Sequence, residues 1–377
     1  MPTHPCRPLA ATLALALCTA CPVSAASARG RVTTEHGIDF VTVGAPGNRD
    51  MRTQERYYNI NNTPQTEKVG RVNYRYRVGK TEVTAGQYLE FVRAFGEHWE
   101  NLGQTRGSHL LHGGYFTPTT LNPNVNTDYT FIGGAPGPGL YANKPIRVDW
   151  RVAAYFCNYL HNGAPVIGDP NSETIPWAVF ATGAYDAATT MGPGPLAPTQ
   201  RLPGAKFWLP TLDEWTKAAY YDPERYAEGN PGPYNGAIPD QQGTGGYWLY
   251  PHMSMNEPII GNPGVGEVGG YEPGSPWPLD VGSYPDVQSP WGALDLMGSV
   301  SEWTGTPSLS PSGIHGGVHF IRGSSNGILE DVNDYFFNGN SFGVAVGVRL
   351  AATVPAPGAA FVTVFGMALY GGRRRRM

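Results

Sequence analysis

Apolar residues recur at helical spacing in three stretches of the chain, and each stretch carries its own start and stop signals. In "TEVTAGQYLEFVRAF", Thr84 and Gln87 have the spacing of a capping box, and Tyr88, Phe91, Val92 and Phe95 follow as one apolar stripe. In "VDWRVAAYFCNYLHNG", Asp149 is placed to cap a helix whose Val152, Tyr155, Phe156, Tyr159 and Leu160 form a broad face, with Gly163 as the stop. In "LPTLDEWTKAAYYDP", Thr211 and Glu214 repeat the capping box, Trp215, Ala218 and Ala219 are the buried set, and Pro223 ends the helix. Strand patterns are short and scattered, at Tyr74 to Val78, Phe320 to Arg322 and Val344 to Leu350. The remainder reads as loop.

Composition agrees with a loop-rich fold. The 377 residues include 50 Gly and 35 Pro, while nine Trp, 21 Tyr and 14 Phe supply ample core material. No internal repeat, charge run or low-complexity linker divides the chain, so the expectation is one domain over residues 29–353.

The two ends read as targeting segments. Residues 1–28 have a positive start at Arg7, an apolar run from Leu9 to Leu17 and small-residue cleavage sites near Ala25 and Ala28, the pattern of an export signal peptide. Residues 354–377 place an apolar run from Ala359 to Tyr370 before four arginines, Arg373 to Arg376, and the arginines would hold that end on the cytoplasmic side. The expected location is therefore outside the cytoplasm, at the cell surface or beyond, after a transient stage anchored in the inner membrane.

Removing these ends changes the charge and the cysteine count. Without Arg7 and the terminal arginines, 21 basic residues face 30 acidic ones, a net charge of −9, and nucleic acid is excluded as a partner. Cys6, Cys18 and Cys21 leave with the signal, so Cys157 alone remains, no internal disulfide is expected, and its place beside the apolar face of the second helix makes it a packing residue.

Few side chains gather into a recognisable site. His109 and His112 in "SHLLHGG" have no third ligand in register. The glycine-rich Gly133 to Gly139 lacks the Lys-Ser or Lys-Thr of a phosphate loop, and there is no Gly-x-Ser-x-Gly elbow. Glu330, Asp331 and Asp334 read as a solvated rim. In "ALDLMGSVSEW", Asp295 and Glu302 supply anionic oxygens and Gly298 permits a sharp turn, an arrangement suited to a hard cation such as calcium.

Six ordered segments carry a resemblance. "YRVGKTEVTAGQYLEFV", "KPIRVDWRVAAYFCNYL", "FWLPTLDEWTKAAYYDP", "VGSYPDVQSPWGALDLMGSVSEW", "FIRGSS" and "GVRLAA" together resemble the formylglycine-generating, or sulfatase-modifying-factor, family. The resemblance implies an α+β fold, a single loop-rich C-type-lectin-like domain with little regular secondary structure. It implies a structural calcium ion held by Asp295, Gly298, Val300 and Glu302, with Ser299 and Ser301 departing from the family's Asn and Trp, and a second site upstream near Asn262 and Glu272. Active members oxidise a substrate cysteine at copper held by two thiolates shortly after Arg-Gly-Gly-Ser. Here Arg322-Gly323-Ser324-Ser325 is followed by no cysteine, and soft thiolates are what select copper(I), so no copper and no catalytic residue is expected. The tail resembles PEP-CTERM sorting segments, which implies an exosortase-type processing enzyme as a partner. The expected function is an exported binding module for an extracellular peptide or saccharide. The alternative is an oxidoreductase of the formylglycine-generating or nonheme-iron kind with unusual metal ligands.

Overall fold

The computed structural model of the chain describes residues 31–55, 68–103, 108, 111, 113–118, 129–132, 141–166, 175–186, 201–233, 243–269, 277–307, 319–322, 336–337 and 346–355. Its fold is mixed α/β and loop-rich, with small sheets and few helices.

The first sheet has five strands, β1 (Val32–Glu35), β2 (Ile38–Val43), β3 (Tyr76–Gly79), β14 (Ala351–Ala352) and β7 (Phe207–Trp208), in the order β1-β2-β3-β14-β7. Every pairing in it is antiparallel. Its opening hairpin turns at His36 and Gly37, both with positive φ, which suits the twist of a two-residue hairpin turn. The second sheet contains β12 (Phe336–Phe337), β11 (His319–Arg322), β10 (Glu302–Pro307), β13 (Val346–Gly347) and β6 (Arg147–Val148), in that spatial order. Its β10–β13 pairing is parallel and consists of Glu302 opposite Gly347. Two small hairpins complete the strands, β4 (Phe116–Pro118) with β5 (Tyr129–Phe131) and β8 (Tyr221–Asp222) with β9 (Gly246–Tyr247).

The three expected helices form where the pattern places them. The first, α1 (Ala85–Asn101), has the full capping box: Gln87 N–H donates to Thr84 Oγ1 at 3.2 Å and Thr84 N–H to Gln87 Oε1 at 2.9 Å. The second, α2 (Trp150–His161), is capped by Asp149, which accepts from Arg151 N–H at 2.8 Å. A short helix, α3 (Ala178–Ala181), packs on α2, and α4 (Leu212–Tyr220) repeats the capping box through Thr211 and Glu214. That last helix ends before Pro223, because Tyr221 and Asp222 turn extended to pair with Gly246 and Tyr247.

The aromatic stripes of α1 and α2 meet in the core. Phe91 stands edge-on to Phe156 at 5.3 Å and Phe95 lies 4.8 Å from Tyr155, each ring fully or almost fully buried. Burial of side chains of this size stabilises the fold by about 1.5–3 kcal/mol each. Asn158 is the polar pin in this layer: its side chain donates to Phe180 O and Tyr185 O and accepts from the N–H groups of Ala184 and Tyr185.

Two strand expectations shift in detail. The strand read from Tyr74 begins at Tyr76, with Tyr74 half out in solvent. Of the run Val344 to Leu350, residues 344 and 345 lie outside the described residues, Val346 and Gly347 form a strand, and Val348, Arg349 and Leu350 carry the chain from the second sheet to the first. All three of those residues are fully buried. Among the described residues no helix is long and apolar enough to cross a membrane; the apolar run Ala359 to Tyr370 lies outside them.

Candidate metal centre

The crossing at residues 348–350 is where three distant segments converge. On one side lies the connection from β3 to α1, tied down by Gly79 N–H to Leu350 O at 2.8 Å and Val83 N–H to Val348 O at 2.7 Å. It carries Glu82. On the other side lies the loop from Trp291 to Ser301 that leads into β10 and carries Asp295, Gly298 and Val300. That loop is tightly wound, with Asp295, Gly298 and Ser299 all at positive φ. Gly298 is needed there twice over: its φ is +79°, and a Cβ would stand 2.6 Å from Gly269 O and 2.6 Å from Val268 Cγ2.

Arg349 fills the gap between the segments. Its Nε lies 2.9 and 3.0 Å from the two carboxylate oxygens of Glu302, and its Nη2 lies 2.8 Å from Glu302 Oε1. Its remaining donors go to main-chain carbonyls: Nη1 to Gly79, and Nη2 to Leu294 and Asp295, at 2.9 to 3.1 Å. Glu302 also accepts from Trp215 Nε1 at 2.6 Å. Both Arg349 and Glu302 are buried.

Asp295 turns its carboxylate inward, where Oδ2 accepts from Gly282 N–H at 2.6 Å. Burial pushes its carboxyl up to about 6 against the pull of that hydrogen bond and of Arg349. Glu82 is 1% exposed, no N–H or hydroxyl of the described residues reaches its carboxylate oxygens, and its hydrogen-bonding contact is with the Asp295 carboxylate. Its closest cation is Arg349 Nη2, at 3.9 Å. Burial raises the Glu82 carboxyl well above its ordinary range, and the neighbouring Asp295 raises it further. The Ser299 hydroxyl is a buried group without a hydrogen-bond partner among the described residues. A cavity of about 10 Å³ abuts Asp295 and is also lined by Glu267, Tyr284 and Ser289, the scale of a single water or ion.

The four residues expected to hold calcium therefore lie on one loop and the first residue of β10, with Val300 buried beside Gly347. Three carboxylates, Glu82, Asp295 and Glu302, lie around one guanidinium, and burial favours the protonated form of Glu82 against the Asp295 carboxylate unless a cation is held there. Among the described residues no three of His, Cys, Asp and Glu are close enough to hold an ion by side chains alone, so any cation site here would need main-chain carbonyls, as calcium sites permit. By charge and by oxygen chemistry the residues fit a hard divalent cation.

The other sequence candidates separate clearly. Cys157 is fully buried on α2, and burial pushes its thiol far up, so it presents no thiolate. Asn262 lies in an ordered loop, where its carbonyl accepts from Val265 and Gly266 N–H. His109, His112, Gly133 to Gly139, Glu272, the segment Gly323 to Ser325, and Glu330, Asp331 and Asp334 lie outside the described residues. Glu82 and Arg349 are the site residues that the sequence reading did not single out. Their only signal was position, one before the first helix and one in "GVRLAA", and nothing in a linear pattern joins residues 267 positions apart.

A polar groove of about 620 Å³ runs beside this centre, lined by Asp39, Lys80, Thr81, Gln87 and Asn143 with Gly282 in its wall. Gly282 links it to the cluster through the hydrogen bond to Asp295. The N–H groups at the start of α1 are already used, by Lys144 O, Ala142 O and Thr84 Oγ1, so that end of the groove offers no anion cradle.

Comparison with known proteins places this geometry. Residues 28–354 match the Sulfatase-modifying factor enzyme 1-like domain. No curated protein sequence matches the chain. Solved structures that resemble it include the crystal structure of CarF, with 18% identity, a TM-score of 0.45 and coverage of 85% of this chain and 100% of that one. Treponema denticola variable protein 1 shares 16% identity at a TM-score of 0.42, covering 86% and 99% of the two chains. PvdO from Pseudomonas aeruginosa shares 12% identity at a TM-score of 0.41, again over 86% and 99%. With the family match spanning the described core from the first sheet to the last strand, the chain belongs to the family of sulfatase-modifying factor enzyme 1-like domains.

Proposed function

We propose that this chain is an exported, calcium-stabilised binding module of C-type-lectin-like fold that lacks the copper-dependent formylglycine-generating activity of the family's oxidases. The observation that carries the reading is the state of its sulfur. Copper(I) in those oxidases needs two accessible thiolates, whereas the one cysteine downstream of the signal segment is Cys157, sealed in the helical core with its thiol held protonated by burial.

Calcium takes a structural role in this reading. Asp295 and Glu302 offer carboxylate oxygens, and Gly298 and Val300 offer main-chain carbonyls. The crowding of Glu82, Asp295 and Glu302 around Arg349 supports it, since a divalent cation is the counter-charge that would let Glu82 and Asp295 ionise where burial disfavours their charge. When bound, the ion supplies that counter-charge and ties the Trp291–Ser301 loop to β10.

The ligand is an extracellular peptide or saccharide, and the polar groove beside Lys80 and Asn143 is a contact surface of suitable size and chemistry. Residues 1–28 direct export, and residues 354–377 hold the chain transiently in the inner membrane until an exosortase-type enzyme processes the tail. Residues 29–353 form the module itself.

One experiment tests the core of the reading. The purified full chain is analysed for bound copper, iron and calcium, then incubated with copper and a cysteine peptide of the sulfatase type, with aldehyde read by hydrazide labelling. Calcium without copper or iron, and no aldehyde, is expected. Aldehyde formation refutes the binding-module reading, and bound iron turns it toward the nonheme-iron alternative.

A further inference from the structure

We propose that Glu82, in the connection from β3 to α1, is a ligand of the calcium site. The proposal rests on the calcium reading above and pairs Asp295 with a carboxylate from a different part of the chain, the Glu302 side chain being committed to Arg349 and Trp215.

The other carboxylate oxygens of the site are largely committed. Glu302 Oε1 is taken by Arg349 from two nitrogens, and Glu302 Oε2 is shared between Arg349 Nε and Trp215 Nε1. Asp295 Oδ2 is taken by Gly282 N–H. Calcium requires six to eight oxygens, and a site built only on this loop has little side-chain capacity left.

Glu82 has the capacity that the loop lacks. Both of its oxygens are buried, no N–H or hydroxyl of the described residues reaches them, their one hydrogen-bonding contact is with the Asp295 carboxylate, and Arg349 Nη2 at 3.9 Å is beyond hydrogen-bonding reach. Other buried carboxylates of the fold are met by donors. Glu55 accepts from Arg49, Arg52 N–H, Tyr226 and Tyr247 N–H, and Glu214 from Trp208, Arg201 and Thr211 N–H. Asp149 is held by Arg151, and Asp222 by Trp248 and Glu224 N–H. A fold that satisfies those carboxylates with donors leaves Glu82 and Asp295 facing each other, a buried pair that either shares a proton or holds a cation.

The consequence is mechanical. Val83 is pinned on both sides, by Val348 O and by its own carbonyl to Ile146 N–H, so Glu82 reaches the site from a fixed backbone. An ion held by Glu82 and Asp295 together clamps the start of α1 to the loop before β10, across more than 200 residues of sequence.

The test titrates calcium chloride into the chelator-stripped full chain by calorimetry, with thermal melts in calcium and in EDTA. Glu82→Gln is compared with the unaltered chain and with Glu90→Gln, an exposed carboxylate on α1 as control. Expected is a loss of calcium affinity of about tenfold or more in E82Q, a smaller calcium-induced rise in Tm, and no change in E90Q. Equal affinity in E82Q and the unaltered chain overturns the proposal while leaving the calcium reading in place. Absence of calcium binding by the unaltered chain overturns the calcium reading, and the proposal with it. Hydrogen exchange on the unaltered chain needs no variant: calcium slows exchange in residues 80–84 as well as in 295–302, and slowing in 295–302 alone overturns the proposal.

Discussion

Arg349 and Glu302 are 47 residues apart and meet as a buried fork, with Nε 2.9 and 3.0 Å from the two carboxylate oxygens and Nη2 2.8 Å from one of them. The fork sits where the chain leaves the second sheet for the first, and the three remaining guanidinium contacts hold the carbonyls of Gly79, Leu294 and Asp295. It thereby joins the two sheets and the acidic loop at one side chain.

Arg349→Met removes the counter-charge from Glu302, Glu82 and Asp295 together. Breaking a buried ion pair from one side costs about 3–5 kcal/mol, so urea denaturation should show a loss of that size. A loss under about 1 kcal/mol would mean that the fork is not what joins the sheets.

Gly298→Ala imposes a side chain on a left-handed turn and drives its Cβ to 2.6 Å from both Gly269 O and Val268 Cγ2. The expected cost is about 2–4 kcal/mol. The same variant should weaken calcium binding, since the loop's carbonyls lose their placement. Unchanged melting in EDTA would contradict the packing described here.

Lys217 predicts a pH dependence. It is fully buried on α4, with Nζ donating to Ala45 O at 2.8 Å and more distantly to Val72 O at 3.4 Å, and burial lowers its ammonium to about 7 against an opposing pull from Glu214. The unfolded chain therefore binds this proton more tightly than the native one. Stability gains from this residue as pH rises from about 7 towards its ordinary value near 10.4, with a slope approaching about 1.4 kcal/mol per pH unit. Lys217→Met should remove that slope, seen as the difference between the two chains in urea midpoints at pH 7, 8 and 9. Parallel curves for variant and unaltered chain would refute the assignment.

Cys157 should be silent to thiol reagents in the native protein. After iodoacetamide treatment, peptide mass spectrometry should find the Cys157 peptide unmodified without denaturant and fully modified in guanidinium. Rapid native labelling would show an accessible thiolate and reopen the case for copper.

The sequence by itself determined the helices, their caps and the family. Capping boxes at Thr84 and Thr211 and the apolar stripes of α1 and α2 are local: the residues that satisfy each helix end lie within three positions of it, so linear order suffices. The Asp295–Glu302 loop was legible for the same reason, as a short run with acidic side chains around a glycine. The β1–β2 hairpin also lies in the local pattern, as alternating residues around His36-Gly37. Only the tertiary structure decided which oxygens on that loop are committed and which remain open. Glu302 is spent on Arg349 and Trp215, while Glu82, 213 positions before Asp295, is a buried carboxylate that no N–H or hydroxyl of the described residues reaches. Burial and charge balance are properties of the space between segments, and no periodicity along a chain encodes that space.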